Sequence, residues 1–406
     1  MIKKIIDIFV RSRRFLKPSG NRRYNIAMEL DTFDKGGLQK FVLDSAIKLN
    51  PKLFNIVIIS VRGKGYLATL AESHGITVYD LNEHPEGSYK NILRDLRIDL
   101  ACTHFSRAGY KYFKSLHIPC ITFIHNVYAF LPSETAQKMK EDDKYVDMYI
   151  SVSNAASTYA VKCLGVDASK IITVPNGLII EEHTQRQENA VLLSRKDFAL
   201  DDDDYVFLNV ASYNLHKGHY LMAEAMKEIK AMGKKIKLLC IGNTIYKPHI
   251  DELKTYLIKE NIEDVMLMPG YHPDVTSFHK MADAFILPSF IEGWSIAMNE
   301  AMFYEKPLIL TDTGGSRDVI KGEDIGILIR NEYGAIENLH CSLLDKLAYE
   351  TRNYTIKDDL VNAMLEFEKN REKWFEAGKK GRTKIINNYN FTNQVKKYEC
   401  EFLNLI

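Results

Sequence analysis

Short apolar runs alternate with amphipathic stretches along most of the chain. The runs Tyr24 to Leu30 (Y-N-I-A-M-E-L), Asn55 to Val61, Ile76 to Leu81, Asp99 to Thr103, Cys120 to Ile124 and Met148 to Val152 have the length and residue types of strands. Between them the spacing turns helical, as in Gly37 to Leu49, where Leu38, Phe41, Val42, Ser45 and Leu49 share one face. The rhythm stops across the polar stretch Glu181 to Asp204. It restarts at Tyr205 to Ala211 and continues through Ile236 to Ile241, Val265 to Met268, Ala284 to Leu287 and Pro307 to Thr311. Strands that alternate with crossover helices build parallel sheets. The pattern predicts an α/β protein of two doubly wound, Rossmann-like domains, 24–180 and 205–388, joined by a linker at 181–204 and facing each other across a cleft.

Composition narrows the function classes. The 406 residues suffice for two cores. Lys and Arg number 54 against 53 for Asp and Glu, a formal net charge of +1, so no global field favours nucleic acid and none is expected as a partner. Six cysteines (Cys102, Cys120, Cys163, Cys240, Cys341, Cys400) show no C-x-x-C spacing and read as free thiols in a reducing compartment. No apolar run approaches the roughly 20 residues of a membrane span, and the N-terminus lacks a signal-peptide pattern, so a cytoplasmic location is expected. Residues 1–23 combine apolar side chains with eight Lys or Arg and one acid. Such a segment either packs on the first domain with its basic face in water or lies on an anionic membrane surface, at the inner face of the membrane.

The candidate chemistry gathers at strand ends, where open parallel sheets bind ligands. After Ala284 to Leu287 comes P-S-F-I-E-G-W-S-I-A-M-N-E-A-M. Gly293 permits a tight turn there, and Ser295 to Tyr304 reads as a helix whose first-turn N–H groups, at Ser295 and Ile296, would face an anion. Glu292 lies in the loop and Glu300 about one and a half turns into the helix, so the two bracket a ligand with paired hydroxyls at each end. Thr313-Gly314-Gly315, Gly242-Asn243 and Lys217-Gly218 follow other strands of this half, and Lys217 is a point charge suited to phosphate. In the first half, Gly36-Gly37 opens a helix after the first strand, and His125-Asn126 closes the strand I-T-F-I. The run Asp201 to Asp204 could hold a divalent cation but reads as solvated acids beside a domain boundary; no metal is expected.

The order L-N-V-A-S-Y-N-L-H-K-G, L-L-C-I-G-N, M-P-G-Y, A-D-A-F-I-L-P-S-F-I-E-G-W-S-I-A-M-N-E-A-M and P-L-I-L-T-D-T-G-G-S-R-D-V-I resembles the donor half of the retaining GT-B glycosyltransferases of family four. The two glutamates separated by seven residues carry that resemblance. N-G at Asn176-Gly177 and S-V-S-N at Ser151 to Asn154 support it. The resemblance implies a GT-B fold, an acceptor-side first domain, and a final helix over 389–406 that crosses back onto it. It further implies that Glu300 binds the nucleotide ribose, Glu292 the donor sugar and Lys217 the diphosphate. Gly293, Trp294, Ser295 and Ile296 would supply backbone contacts to phosphate and sugar, Gly270-Tyr271 would lie near the base, and His125 would point into the cleft. The implied partners are a nucleotide-sugar donor, UDP- or GDP-linked, and a glycan or lipid-linked acceptor, with no further cofactor. The implied chemistry is a front-side displacement with retention and without metal. One departure stands out: Ser212 occupies the position where the family usually carries a second diphosphate-binding arginine, with Arg317 or His216 as replacements. A catalytically weak, sugar-nucleotide-binding scaffold is the alternative, and a nucleotide-sugar epimerase a third reading.

Overall fold

A computed structural model describes residues 22–85, 87–190 and 193–406. Residues 1–21, most of the basic N-terminal segment, lie outside the described residues; Arg22 donates to both carboxylate oxygens of Asp99 at 2.6 and 2.8 Å.

Seven parallel strands form the first sheet: β1 (Tyr24–Leu30), β2 (Phe54–Ser60), β3 (Thr77–Asp80), β4 (Leu100–His104), β5 (Cys120–Ile124), β6 (Met148–Ser151) and β7 (Ile171–Thr173), in the order β3-β2-β1-β4-β5-β6-β7. Six more form the second: β8 (Tyr205–Val210), β9 (Ile236–Ile241), β10 (Met266–Gly270), β11 (Ala284–Leu287), β12 (Leu308–Thr311) and β13 (Gly326–Ile329), ordered β10-β9-β8-β11-β12-β13. The order reverses between β1 and β4 and between β8 and β11, and the carboxyl ends at these switch points face the interdomain cleft. Helices cover both faces, so the central strands are mostly apolar: every residue of β4, β5 and β11 is buried, Thr103, His104 and Thr122 included.

The helix Phe391–Leu405 crosses back onto the first domain, driving Phe391, Val395, Tyr398 and Phe402 into the core around Phe41, Phe54 and Phe123. The crossing is tight. Gly177 lies so close to the Phe391 backbone that a Cβ would come within 2.5 Å of it, which accounts for the N-G pair.

The stretch expected as a bare linker contains the helix Ile180–Asn189, which buries only His183 and presents Glu181 and Glu182 to its own N-terminus. A helix therefore forms here without an apolar period to announce it. Farther on, Arg195 binds the carbonyls of Met281 and Asp204 and the Asp283 carboxylate, fixing this segment to the second domain. The domains also meet directly: Asn154, the last residue of S-V-S-N, donates its backbone N–H and its side-chain amide to Asp318 at 2.9 and 2.8 Å. No helix among the described residues is long and apolar enough to cross a membrane.

Candidate active site

A cavity of about 530 Å³ lies between the domains. The second domain supplies Ser212, Lys217, Glu292 and Gly293 to Ile296; the first supplies Gly37, Phe105, His125, Asn126 and Tyr128.

Lys217 ends the short turn Leu215–Lys217, and Gly218 follows at φ +78, where a Cβ would lie 2.2 Å from the Pro288 carbonyl oxygen. Both constraints demand glycine. They set the Lys217 ammonium 2.6 Å from Glu292 Oε1, which also accepts a hydrogen bond from Ser289 Oγ at 2.9 Å. The Ser289 carbonyl is held in turn by Thr311 and Asn331. Lys217 and Glu292 are the only charged side chains among the described residues lining the cavity.

Gly293 packs directly against the first domain: a Cβ there would sit 1.9 Å from the His125 carbonyl oxygen. The helix Ile296–Phe303 starts immediately after. Ser295 caps it by accepting from Met298 N–H at 3.2 Å, the N–H groups of Ile296 and Ala297, in the first turn, have no intrahelical acceptor, and Ile296 lines the cavity. Trp294 is buried, its indole N–H donated to Asn299 at 3.0 Å and its ring against Tyr389. Its polar group is thus committed inside the protein. Gly314 and Gly315 pack under Glu292, Gly293 and Trp294, so the T-G-G stretch supports the loop rather than lining the cavity.

Glu300 lies one turn beyond Ile296 and does not line the cavity itself. Its side chain is only 15% exposed, and no side chain among the described residues donates a hydrogen bond to it. His183 Nε2 lies 3.8 Å from Glu300 Oε1, too long for a hydrogen bond. Burial raises the Glu300 carboxyl to about 7 and lowers the His183 imidazole to about 4, so His183 stays neutral at physiological pH. His183 escapes sequence reasoning because it sits in a stretch with no periodic signal.

His125 directly follows β5, with its Nε2 3.0 Å from Nδ1 of His104 at the end of β4 and its ring edge-on to Phe41. Burial lowers His125 to about 3 and His104 well below its ordinary value. The pair is uncharged and serves as a hydrogen-bonding wall. His104 is visible in the sequence as the terminal His of A-C-T-H, one strand from His125.

Gly37 opens onto the cavity, with no atom within 4 Å of an added Cβ, while Gly36 stands just behind it. Gly242, Asn243, Gly270 and Tyr271 lie outside the cavity. Gly242 packs on the Ala211 carbonyl, Asn243 accepts from Tyr213 N–H at 2.8 Å, Gly270 donates to the Tyr213 hydroxyl at 3.1 Å, and Tyr271 is exposed. Neither expected substitute for the arginine reaches Ser212: Arg317 is paired with Asp312 beside a different cavity, and His216 packs against Tyr349 and Asp345. Asp201, Asp203 and Asp204 cluster at the amino end of β8, away from the carboxyl ends that form the cleft.

Residues 36–182 match the sequence pattern of Glycosyltransferase Family 4, and residues 192–358 match Glycosyl transferases group 1. The chain belongs to this glycosyltransferase family and has its GT-B fold. An Escherichia coli UDP-Gal:alpha-D-GlcNAc-diphosphoundecaprenol alpha-1,3-galactosyltransferase is 25% identical over 338 residues, covering 79% of each chain. The Staphylococcus aureus capsular polysaccharide biosynthesis glycosyltransferase CapM is 28% identical over 204 residues, 50% of this chain and 51% of its own. Among solved structures, Anabaena HepE in complex with UDP and glucose superposes with a TM-score of 0.74 at 15% identity, covering 95% of this chain and all of its own.

Proposed function

We propose that the chain is a retaining, metal-independent transferase that moves a hexose from a UDP-sugar to a glycan or lipid-linked acceptor during synthesis of a cell-surface polysaccharide. The observation that carries this reading is a line of donor-facing groups along one loop and helix: the Lys217–Glu292 pair, the free first-turn N–H groups at Ile296, and the carboxyl of Glu300 one turn on. A nearly buried carboxyl with no protein donor is suited to accept from ligand hydroxyls, and ribose offers two. Relatives that use or bind uridine nucleotides support UDP as the nucleotide.

In the transfer, the bond from the sugar's anomeric carbon to the diphosphate oxygen breaks, and a bond to the acceptor hydroxyl oxygen forms on the same face. The hydroxyl proton passes to the departing diphosphate. Lys217 and the helix start stabilise the charge that develops on the leaving group. Glu292, fixed by Lys217 and Ser289, takes sugar hydroxyls; because it is ion-paired and is the only carboxylate among the described residues lining the cavity, front-side displacement fits better than a carboxylate nucleophile. The neutral His125 borders the acceptor side. The basic residues 1–23 would bring the protein to anionic membrane where lipid-linked acceptors reside.

UDP release from UDP-glucose, UDP-galactose and UDP-N-acetylglucosamine tests this. Slow hydrolysis, faster with acceptor and insensitive to EDTA, is expected. Lys217→Ala should lower turnover by about 10²–10³. Ser212, with no cation in its place, favours the scaffold reading to the extent that binding occurs without release from any donor; that outcome would replace the enzymatic reading.

A further inference from the structure

A second chamber, of about 370 Å³, opens off the first-domain wall of the cleft and shares Phe105 and Tyr128 with it. Its deep part carries the hydroxyls of Thr122 and Tyr110, 2.8 Å apart, beside the buried ring of Phe123. Its rim carries two ion pairs, Arg62 with Asp31 at 3.3 Å and Arg107 with Asp142 at 3.1 Å.

The loop at its mouth is held against resistance. Phe105 adopts φ +57, the left-handed region that an aromatic side chain rarely enters, and its ring stands 48% exposed between the two cavities. Behind the loop, Glu29 is completely buried in β1. Its Oε2 accepts from the Tyr89 hydroxyl at 2.5 Å and packs against Gly109, where an added Cβ would come within 2.4 Å of it, and burial raises its carboxyl above the ordinary value. A buried carboxyl group behind the loop and a strained backbone within it set one exposed ring at a junction of cavities. Such strain concentrates where a side chain must meet a ligand.

We propose that this chamber binds a sugar ring of the acceptor, the ring next to the one that receives the transferred sugar, with Phe105 stacked on its face. The protein would then extend an existing glycan, and an earlier glycosyl transfer must supply its acceptor. The proposal rests on the glycosyltransferase reading above. A pyranose presents C–H groups on its faces and hydroxyls around its edge, which matches aromatic walls combined with Thr122, Tyr110 and the rim carboxylates. A lipid chain has no hydroxyls to offer these polar groups.

Saturation-transfer NMR on the full chain with UDP present, using the methyl α-glycosides of glucose, galactose, mannose, rhamnose and N-acetylglucosamine and octyl glucoside, tests the proposal. At least one glycoside should show saturation of its ring protons. Phe105→Ala, and Thr135→Trp, which fills the chamber from a solvent-facing helix, should weaken that binding about tenfold or more, as loss of an aromatic anchor does. Phe105→Trp should retain it; UDP affinity should stay unchanged in Thr135→Trp, which lies outside the donor cavity, and an unchanged melting temperature reports folding of all three. If no glycoside contacts the protein, if contacts persist in both weakening variants, or if saturation is confined to the octyl chain, the proposal is overturned. Failure of UDP itself to bind would instead overturn the donor reading beneath it.

Discussion

Glu300 is ionised against the preference of its surroundings. Burial lifts its carboxyl from the ordinary 4.5 to about 7, while Arg186 opposes the rise and Asp274 adds to it. Because the folded value is the higher one, ionisation is harder in the folded state. Folding stability from this group is fully present below pH 4.5, is lost as pH rises from 4.5 to 7, and stays lost above, at about 1.4 kcal/mol for each tenfold difference in proton affinity between the folded and unfolded chain. Glu300→Gln should therefore raise the melting temperature at pH 8, leave it unchanged near pH 4.5, and weaken UDP binding. A variant that melts lower at pH 8 would contradict burial as the origin of the raised value. The same reasoning makes UDP affinity rise with pH through about 7, because a carboxylate accepts from two ribose hydroxyls and a carboxyl does not. Isothermal titration between pH 6 and 8 measures that rise. At this scale the sequence is informative where chemistry repeats in a motif, as for Lys217, Glu292 and Glu300, and silent for His183 and Phe105, whose roles depend on neighbours distant in the chain.

The loop between β11 and the helix Ile296–Phe303 is shaped by glycines on three sides. Gly293 admits the His125 carbonyl, while Gly314 and Gly315 admit the loop itself. Gly293→Ala would place a methyl group 1.9 Å from a backbone oxygen of the other domain, a contact that no side-chain rotation relieves. It should cost about 1–3 kcal/mol of stability and most of the transfer activity, measured by denaturant unfolding and UDP release. Wild-type activity in this variant would show that the loop approaches His125 less closely. Legibility at this scale follows burial. β1 to β6 and β8 to β12 are visible as apolar runs, with ends displaced by a residue or two. The strands β7, of three residues, and β13, of four, are not, since runs as short as I-I-T and G-I-L-I carry too little pattern to stand out as strands. The helix Ile180–Asn189 is hidden for a related reason, burying one side chain in ten residues. Trp294 reads as a backbone contact from its place in the motif; it lines the cavity, with its indole N–H held by Asn299.

The two sheets work as one site because several independent contacts close the molecule around it. Asn154 clamps Asp318, Lys162 pairs with Glu337 at 2.6 Å, the Tyr159 hydroxyl donates to the Leu339 carbonyl, and the helix Phe391–Leu405 ties the end of the chain to the first core. A closed cleft keeps water from the activated donor. Asp318→Ala, which removes two hydrogen bonds to Asn154, should favour the open form and raise donor KM by about tenfold while the melting temperature changes little. An unchanged KM would show that the clamp does not govern closure. The fold class is legible from alternation alone; the clamps are not, since they join residues 164 and 175 positions apart. The most direct test of the central claim, that one sugar nucleotide lies along Lys217, Glu292, Ile296 and Glu300, is calorimetric titration of the protein with UDP at pH 8. The account predicts saturable binding of one UDP that is strongly weakened in Glu300→Ala. Absence of binding, or equal affinity in the variant, would contradict it.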